Sequence, residues 1–415
     1  MTDPVVLDGR EGEGGGQVLR SALALSLATG RPFVLENVRA RRDRPGLLRQ
    51  HLTGLRLAAE IGDAELTGAA VGSKRVAFTP RVLRPGRYHA QVGTAGSTML
   101  VLSTVLPALL TGTKATVLDV EGGTHAKGAP CFEFVHDVLL PVLEGTGVRL
   151  ELELVRYGFY PAGGGRVRLH VQPTTSPRPI ERLERGRLQS TQALAIVSQL
   201  PRHIAERELE DVRRRLGWKE KDRRVEVVEE GAGPGNAVVL TVRHAHATNV
   251  VAAYGAVGVS AERVATRACR EAQAWLAADV PVGAWLADQL LVPLALGAGG
   301  RFRTQPLSLH ARTNIDVVHA FLGPVIEVVE DGEAVLLTVK GRYGVGWDSN
   351  LWPQRTSAGE CSFRPEVGIS PDSVQGDSAR RYRGVNDSVT CRIVQNGNAS
   401  RLTSTHSTRL DGSLP

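Results

Sequence analysis

The sequence predicts an α/β protein: three repeated α/β units in one large domain, with a smaller α/β domain inserted before the third. Three observations predict it. One order of parts recurs three times along the chain, a glycine-rich turn, an apolar helix, a glycine stop and a strand. The first two copies begin about 80 residues apart, but the third begins almost 190 after the second. The extra stretch carries helix and strand signals of its own, so an insertion accounts for it better than a degenerate repeat.

The first copy, residues 12–38, reads GEGGGQVLRSALALSLATGRPFVLENV. The second, 93–120, reads GTAGSTMLVLSTVLPALLTGTKATVLDV, and the third, 282–304, reads VGAWLADQLLVPLALGAGGRFRT. Glycine after each helix fits a left-handed C-terminal cap. A second helix is expected after the first two copies, over 45–61 and 129–143, the former started by Pro45. The repeat helices are apolar on most faces, as they would be if buried where the units meet. In the extra stretch, 201–216 (PRHIAERELEDVRRRL) reads as a charged amphipathic helix and 260–276 as a helix capped by Ser260. Residues 224–228 and 237–242 read as strands. The expected organisation is 1–178 for units 1 and 2, 179–279 for the inserted domain, and 280–340 for unit 3. Residues 341–415 lack helical or strand periodicity and are rich in Ser, Arg, Gly, Asp and Asn; they are expected to be a disordered or non-native tail.

With 415 residues, 42% hydrophobic and 22% charged, the chain has the profile of a globular protein of more than one domain. No apolar run reaches the roughly 18 residues that cross a bilayer. The N-terminus lacks the basic-then-apolar plan of a secretion signal, so the expected location is the cytoplasm, with no membrane partner. Cys131, Cys269, Cys361 and Cys391 form no CxxC pair, which indicates neither a zinc site nor a disulfide framework. Net charge is +7 and the isoelectric point about 9.5, which suits a polyanionic partner. Only six of the 50 basic residues are lysines, however, an imbalance that codon bias also produces.

Chemistry concentrates in a few segments. The turn at Glu11–Gln17 places consecutive glycines ahead of a helix, where backbone N–H groups can approach phosphate. Glu13 belongs there if a metal ion bridges it to phosphate, or if it simply favours a helix N-terminus. No GK[ST] follows, so this is not a P-loop. Residues 39–51 (RARRDRPGLLRQH) cluster guanidinium groups able to hold a terminal phosphate, unless they are a solvated loop. The YGFYPAGGG stretch at 157–165 requires a bulge or a close backbone approach, a structural role more than a chemical one. Asp288 and Gln289 are an acid and an amide inside an apolar helix, facing a ligand or capping. His310 stands in LSLHARTNIDVVHAFL: LSLH reads as a strand end, and Thr313 or Asn314 as the cap of a helix with Ile315, Val318, Phe321 and Leu322 on its apolar face. A histidine ahead of a helix N-terminus can meet phosphate, and a neutral imidazole can attack phosphorus.

Taken together, these segments resemble the RNA 3′-terminal phosphate cyclase family. Nine matches occur in order between about residues 6 and 340: DGREGEGGGQVLRSAL, RARRDRPGLLRQHL, GTAGSTMLVLSTVLPAL, EGGTHAKGAP, RYGFYPAGGG, PRHIAERE, GPGN, WLADQL and LHARTNI. The resemblance implies the repeated-unit fold with an insertion, similar to the unit of enolpyruvyl transferases and of the C-terminal domain of bacterial translation initiation factor three. It implies an enzyme that uses ATP and a divalent cation, Mg or Mn, on RNA ending in a 3′-phosphate. His310 would attack the α-phosphate of ATP and pass AMP to the RNA phosphate, which the neighbouring 2′-hydroxyl then closes into a 2′,3′-cyclic phosphodiester. Glu13 would hold the cation. Ser103, Pro130, Phe134, Trp285, Leu286, Ala287, Asp288 and Gln289 would form the nucleotide site. Arg20, Arg39, Arg42 and Gln50 would engage the RNA terminus.

The sequence departs from the family pattern in three places. Ser103 stands where family enzymes often carry glutamine, Trp285 where tyrosine is common, and Tyr157 where a basic residue precedes GFYP. The alternative is a non-catalytic relative acting in ribosome assembly; such relatives lack the histidine, and His310 argues against it. Whether the chain forms a homodimer stays open at this level.

Overall fold

The computed structural model describes residues 3–343; the expected tail lies, from residue 344 onward, outside the described residues. The first unit runs β1 (Val5–Asp8), α1 (Gln17–Thr29), β2 (Phe33–Glu36), α2 (Arg49–Gly62), β3 (Glu65–Thr67) and β4 (Val76–Thr79). Its sheet has the order β1-β2-β4-β3, with β1 and β2 parallel and β4 antiparallel to both neighbours. Gly30 ends α1 in the left-handed conformation, its N–H donating to Ser26 O at 2.8 Å, and Phe33 and Leu35 then alternate inward along β2.

The second unit repeats the plan: β5 (Arg87–Gln91), α3 (Thr98–Leu109), β6 (Thr116–Gly122), a helical stretch over 132–144, β7 (Arg149–Arg156) and β8 (Gly165–Gln172), in the order β5-β6-β8-β7. The helical stretch is α4 (Phe132–Phe134) and α5 (Leu140–Glu144) joined by a π-helical turn. The third unit begins with β9 (Ile180–Arg182), which pairs in parallel with a strand more than 100 residues later. Between them lie β10 (Leu188–Ser198), α6 (Arg202–Leu216), β11 (Arg223–Val228), β12 (Gly235–His244), β13 (Thr248–Tyr254) and α7 (Ala261–Ala278), forming a sheet in the order β11-β10-β12-β13. The third unit then resumes with α8 (Ala284–Leu296), β14 (Gly299–Thr304), α9 (Leu309–Leu322), β15 (Ile326–Asp331) and β16 (Ala334–Lys340), giving β9-β14-β16-β15. Parallel and antiparallel pairings match those of the first two units.

Burial explains the composition of the helices. Every residue of α1 except Arg20 is buried, and α3 and α8 are nearly as enclosed; the three pack against one another. Strand β12 is buried on both faces: Ala237 and Val239 join the main core, while Val238, Leu240 and Val242 join a second cluster with Val264, Ala268 and Trp275 of α7. That two-sided burial makes its sequence a near-continuous apolar run.

Several expectations need correction. The stretch 179–279 gives its first strand, β9, to the third sheet; three residues are too few to show a period. Pro45 does not start a helix: Gly46 takes φ +85° in the loop, Leu47 is buried, and α2 begins at Arg49. The helix expected over 129–143 begins at 132, with Cys131 Sγ accepting from Phe134 N–H at 3.4 Å. LSLH is not a strand end, and neither Thr313 nor Asn314 is a cap. Ser308 caps α9, its hydroxyl accepting from Ala311 N–H at 3.1 Å, so His310 lies in the first helical turn. The third unit therefore has a second helix, as the first two do.

Candidate active site

The glycine-rich turn leads into α1 and is packed from three sides. Gly12 and Gly14 adopt φ of +57° and +60°, a region open to glycine. A Cβ at Gly12 would lie 2.1 Å from Thr313 Oγ1 of α9, and one at Gly14 2.4 Å from Arg41 Cβ. A Cβ at Gly16 would lie 2.4 Å from His51 Nε2 of α2. The turn is glycine-rich because side chains from elsewhere fill the space.

Glu13, buried in this turn, accepts the Gln17 N–H at 2.9 Å with one carboxylate oxygen and pairs with Arg42 through the other. Burial opposes its charge, but the Gln17 N–H, the charge on His310 and that on Arg42 together hold its pKa below the ordinary value. Glu13 thus serves the helix N-terminus and pairs with Arg42. Its own N–H donates to Thr313 Oγ1 at 2.9 Å.

A second group meets where α1, α3, α8 and α9 converge on a cavity of about 30 Å³. Gln17, Arg20, Ser103, Asp288, Gln289 and Asn314 contribute to its wall. Asn314 Nδ2 donates to Asp288 O at 2.8 Å and to Asp288 Oδ1 at 3.3 Å, and Ser21 Oγ donates to Asn314 Oδ1 at 2.6 Å. Gln17 Nε2 donates to Ser21 Oγ at 3.2 Å, and Arg20 Nη2 to Gln17 Oε1 at 2.7 Å. Burial raises the pKa of Asp288 against the opposing influence of Arg20, His310 and the Gln289 and Asn314 amides. Asp288 is no helix cap, since Gly283 holds that position.

His310 is exposed on the first turn of α9, where unpaired helical N–H groups favour an anion. Three and four residues on, Thr313 accepts the Glu13 N–H and Asn314 donates to Asp288, which ties the helix of the nucleophile candidate to both clusters. Gln50 Oε1 accepts from Ser97 N–H at 2.7 Å at the start of α3. Arg39 is buried at φ +55° and donates to the carbonyls of Arg44 and Gly46, bracing its own loop. Arg42 remains half-exposed.

The remaining candidates are dispersed. Ser103 turns its hydroxyl back to Leu100 O at 3.0 Å. Pro130 is buried, and Phe134, Leu286 and Ala287 belong to the main core. Trp285 is exposed, its indole N–H donating to Glu271 of α7 at 3.1 Å. Pro130, Phe134 and Trp285 do not line the cavity that holds Asp288. The residues absent from the sequence-based set are Gln17, Ser21, His51, Thr313 and Asn314. Burial, with Arg20 and Arg39 nearby, presses the His51 pKa down to about 3, so this imidazole is neutral. Polar side chains within otherwise apolar helices were the available signal. The YGFYPAGGG stretch makes the expected close approach: a Cβ at Gly158 would lie 2.4 Å from Gly122 O.

Among the described residues no group of three His, Cys, Asp or Glu side chains could hold a metal, and no helix is long and apolar enough to cross a membrane. Glu13 alone therefore fits a hard cation only where substrate oxygens and water complete the shell, the usual habit of Mg²⁺ with phosphates.

Comparison with known proteins gives a consistent result. Residues 11–328 match the family described as RNA 3′-terminal phosphate cyclase. A protein of that name from Koribacter versatilis (strain Ellin345) is 45% identical over 343 residues, covering 82% of this chain and 97% of the relative. Another from Ectopseudomonas mendocina (strain ymp) is 44% identical, covering 80% and 97%. One from Salmonella enteritidis PT4 (strain P125109) is 45% identical, covering 81% and 99%. The solved structure of the enolpyruvyl transferase NikO from Streptomyces tendae overlaps with a TM-score of 0.34 at 11% identity, covering 82% of this chain and 48% of that one.

Proposed function

The chain belongs to the RNA 3′-terminal phosphate cyclase family, whose cyclases are ATP-dependent enzymes, and from that premise we propose that His310 carries AMP between ATP and the RNA end. A ring nitrogen of neutral His310 attacks the α-phosphorus of ATP, the N–P bond forms and pyrophosphate leaves. An oxygen of the RNA 3′-phosphate then attacks the adenylate, breaking the N–P bond and forming an anhydride. Last, the vicinal 2′-hydroxyl attacks the RNA phosphorus, its proton is lost and AMP departs. Adenylation supplies the leaving group, and the held hydroxyl gains the advantage of intramolecular attack.

The observation that carries this reading is the position of His310: exposed, on the first turn of a helix whose Thr313 and Asn314 are hydrogen-bonded to Glu13 and Asp288. Asp288, Gln289 and Ser103 border the nucleotide, with Trp285, Pro130 and Phe134 on the side of the base and Leu286 and Ala287 supporting them from the core. Arg20, Arg42 and Gln50 meet the RNA terminal phosphate, and Arg39 holds the loop that carries Arg42. Glu13 would hold a divalent cation together with phosphate oxygens, and such a cation neutralises charge on ATP.

The test is conversion of a 3′-phosphate RNA with ATP. The wild-type chain is expected to yield the 2′,3′-cyclic end, His310→Ala none, and an RNA with a 2′-deoxy terminal sugar is expected to stop at the adenylated end. Full cyclisation by His310→Ala, or cyclisation without nucleotide, contradicts the proposal.

A further inference from the structure

Resting on the His310 reading, we propose that Asn314, with Ser21 and Thr313, is the positioning device that fixes the nucleophile helix against the nucleotide and cation residues. Thr313 and Asn314 follow His310 by three and four residues, so all three share one side of α9. His310 is exposed, whereas Thr313 and Asn314 are buried and fully engaged.

Thr313 Oγ1 donates to Leu309 O at 2.8 Å and accepts from Glu13 N–H at 2.9 Å. It thereby sets the height of the glycine turn on the first turn of α9. Asn314 joins three helices at once, accepting from Ser21 of α1 and donating twice to Asp288 of α8. A backbone carbonyl only accepts, so the amide N–H₂ faces Asp288 O and the amide oxygen faces Ser21.

The donors all run one way: Arg20 to Gln17, Gln17 to Ser21, Ser21 to Asn314 and Asn314 to Asp288. A cation heads the series and Asp288 ends it, accepting on its backbone carbonyl at 2.8 Å and on Oδ1 at 3.3 Å, so each bond polarises the next. Reversing any amide would set donor against donor or acceptor against acceptor. The series therefore has one satisfied arrangement, and that arrangement places Asp288 relative to His310. None of Thr313, Asn314 or Ser21 need touch the reacting atoms.

The experiment measures the rate of AMP transfer to the protein from α-labelled ATP, over a range of ATP concentrations, with the folded fraction fixed by thermal melting. Asn314→Leu is expected to lower the rate at saturating ATP by roughly 10- to 100-fold, the scale of an ångström of misplacement. The ATP concentration for half-maximal rate should move far less. Ser21→Ala should show a smaller loss of the same kind. Thr313→Val should lose rate while Thr313→Ser, which keeps the hydroxyl, restores it. Should Asn314→Leu not fold, Ser21→Ala and the Thr313 pair decide. Wild-type rates in the folded variants, or losses that only track the folded fraction, overturn the inference. A wild-type chain that takes up no AMP contradicts the His310 reading instead.

Discussion

Thr313 and Glu13, 300 positions apart in the chain, are joined by a 2.9 Å hydrogen bond from the Glu13 backbone N–H to the Thr313 hydroxyl. A methyl group at Gly12 would collide with that hydroxyl, so the turn and the helix have no room to slide. This contact, rather than any local motif, brings an exposed imidazole to the rim of a glycine turn. This site and the fold around it make four predictions that can be measured.

Glu13→Gln keeps an acceptor for the Gln17 N–H and removes the charge. Thermal stability should stay close to wild type. The Mg²⁺ or Mn²⁺ concentration needed for AMP transfer should rise about tenfold or more, read by titrating the cation.

His51 is held neutral, with its pKa near 3 against an ordinary 6.5. The folded state then binds fewer protons than the unfolded chain between those values, so this group's contribution to stability is complete above pH 6.5 and lost as the pH falls. His51→Gln should flatten the decline in melting temperature between pH 6.5 and 5.

Glu208 is fully buried in α6; burial raises its pKa to about 7, only partly offset by the Asn236 amide donating at 2.9 Å, and its other oxygen has no hydrogen-bond partner among the described residues. Here the folded state holds the proton more tightly than the ordinary 4.5, so stability from this group is complete below pH 4.5 and lost as the pH rises through 7. Glu208→Gln should raise the melting temperature at pH 8 and leave it nearly unchanged at pH 4.5.

Trp285 offers an exposed aromatic face steadied by Glu271. If the base stacks there, Trp285→Ala should weaken ATP binding by about 1–3 kcal/mol, and Trp285→Tyr by much less. Equilibrium binding of ATP to both variants gives the answer.

The repeated helices were legible because α1, α3 and α8 are nearly all apolar, but the left-handed glycine cap expected after each holds only for Gly30 of α1: Leu110 caps α3 in the right-handed region and Gly297 caps α8 at φ −95°. Strand β9 was not, since its partner β14 lies more than 100 residues away and pairing of that kind leaves no periodic trace. The start of α9 differs from the sequence reading because Ser308 competes with Thr313 and Asn314 as a capping residue, and it is the Ser308 hydroxyl that reaches a first-turn N–H of α9. The same misreading hid the structural use of Thr313 and Asn314. Glu13, Asp288 and His310 were identifiable as chemically unusual residues, but their common neighbourhood depends on tertiary contacts. The inserted stretch announced itself through the amphipathic α6 and the capped α7. The stretch builds a second apolar cluster, while Ile196, Ala237, Val239 and Val250 join the main core; its independence as a domain is our proposal.

The most direct measurement is to incubate the chain with α-labelled ATP and no RNA, digest it, and map the modified peptide. AMP on the peptide containing His310, released by acid and absent from a folded His310→Ala chain, is the result this account predicts. AMP on a different residue, or an unlabelled chain that still cyclises RNA ends, would contradict it.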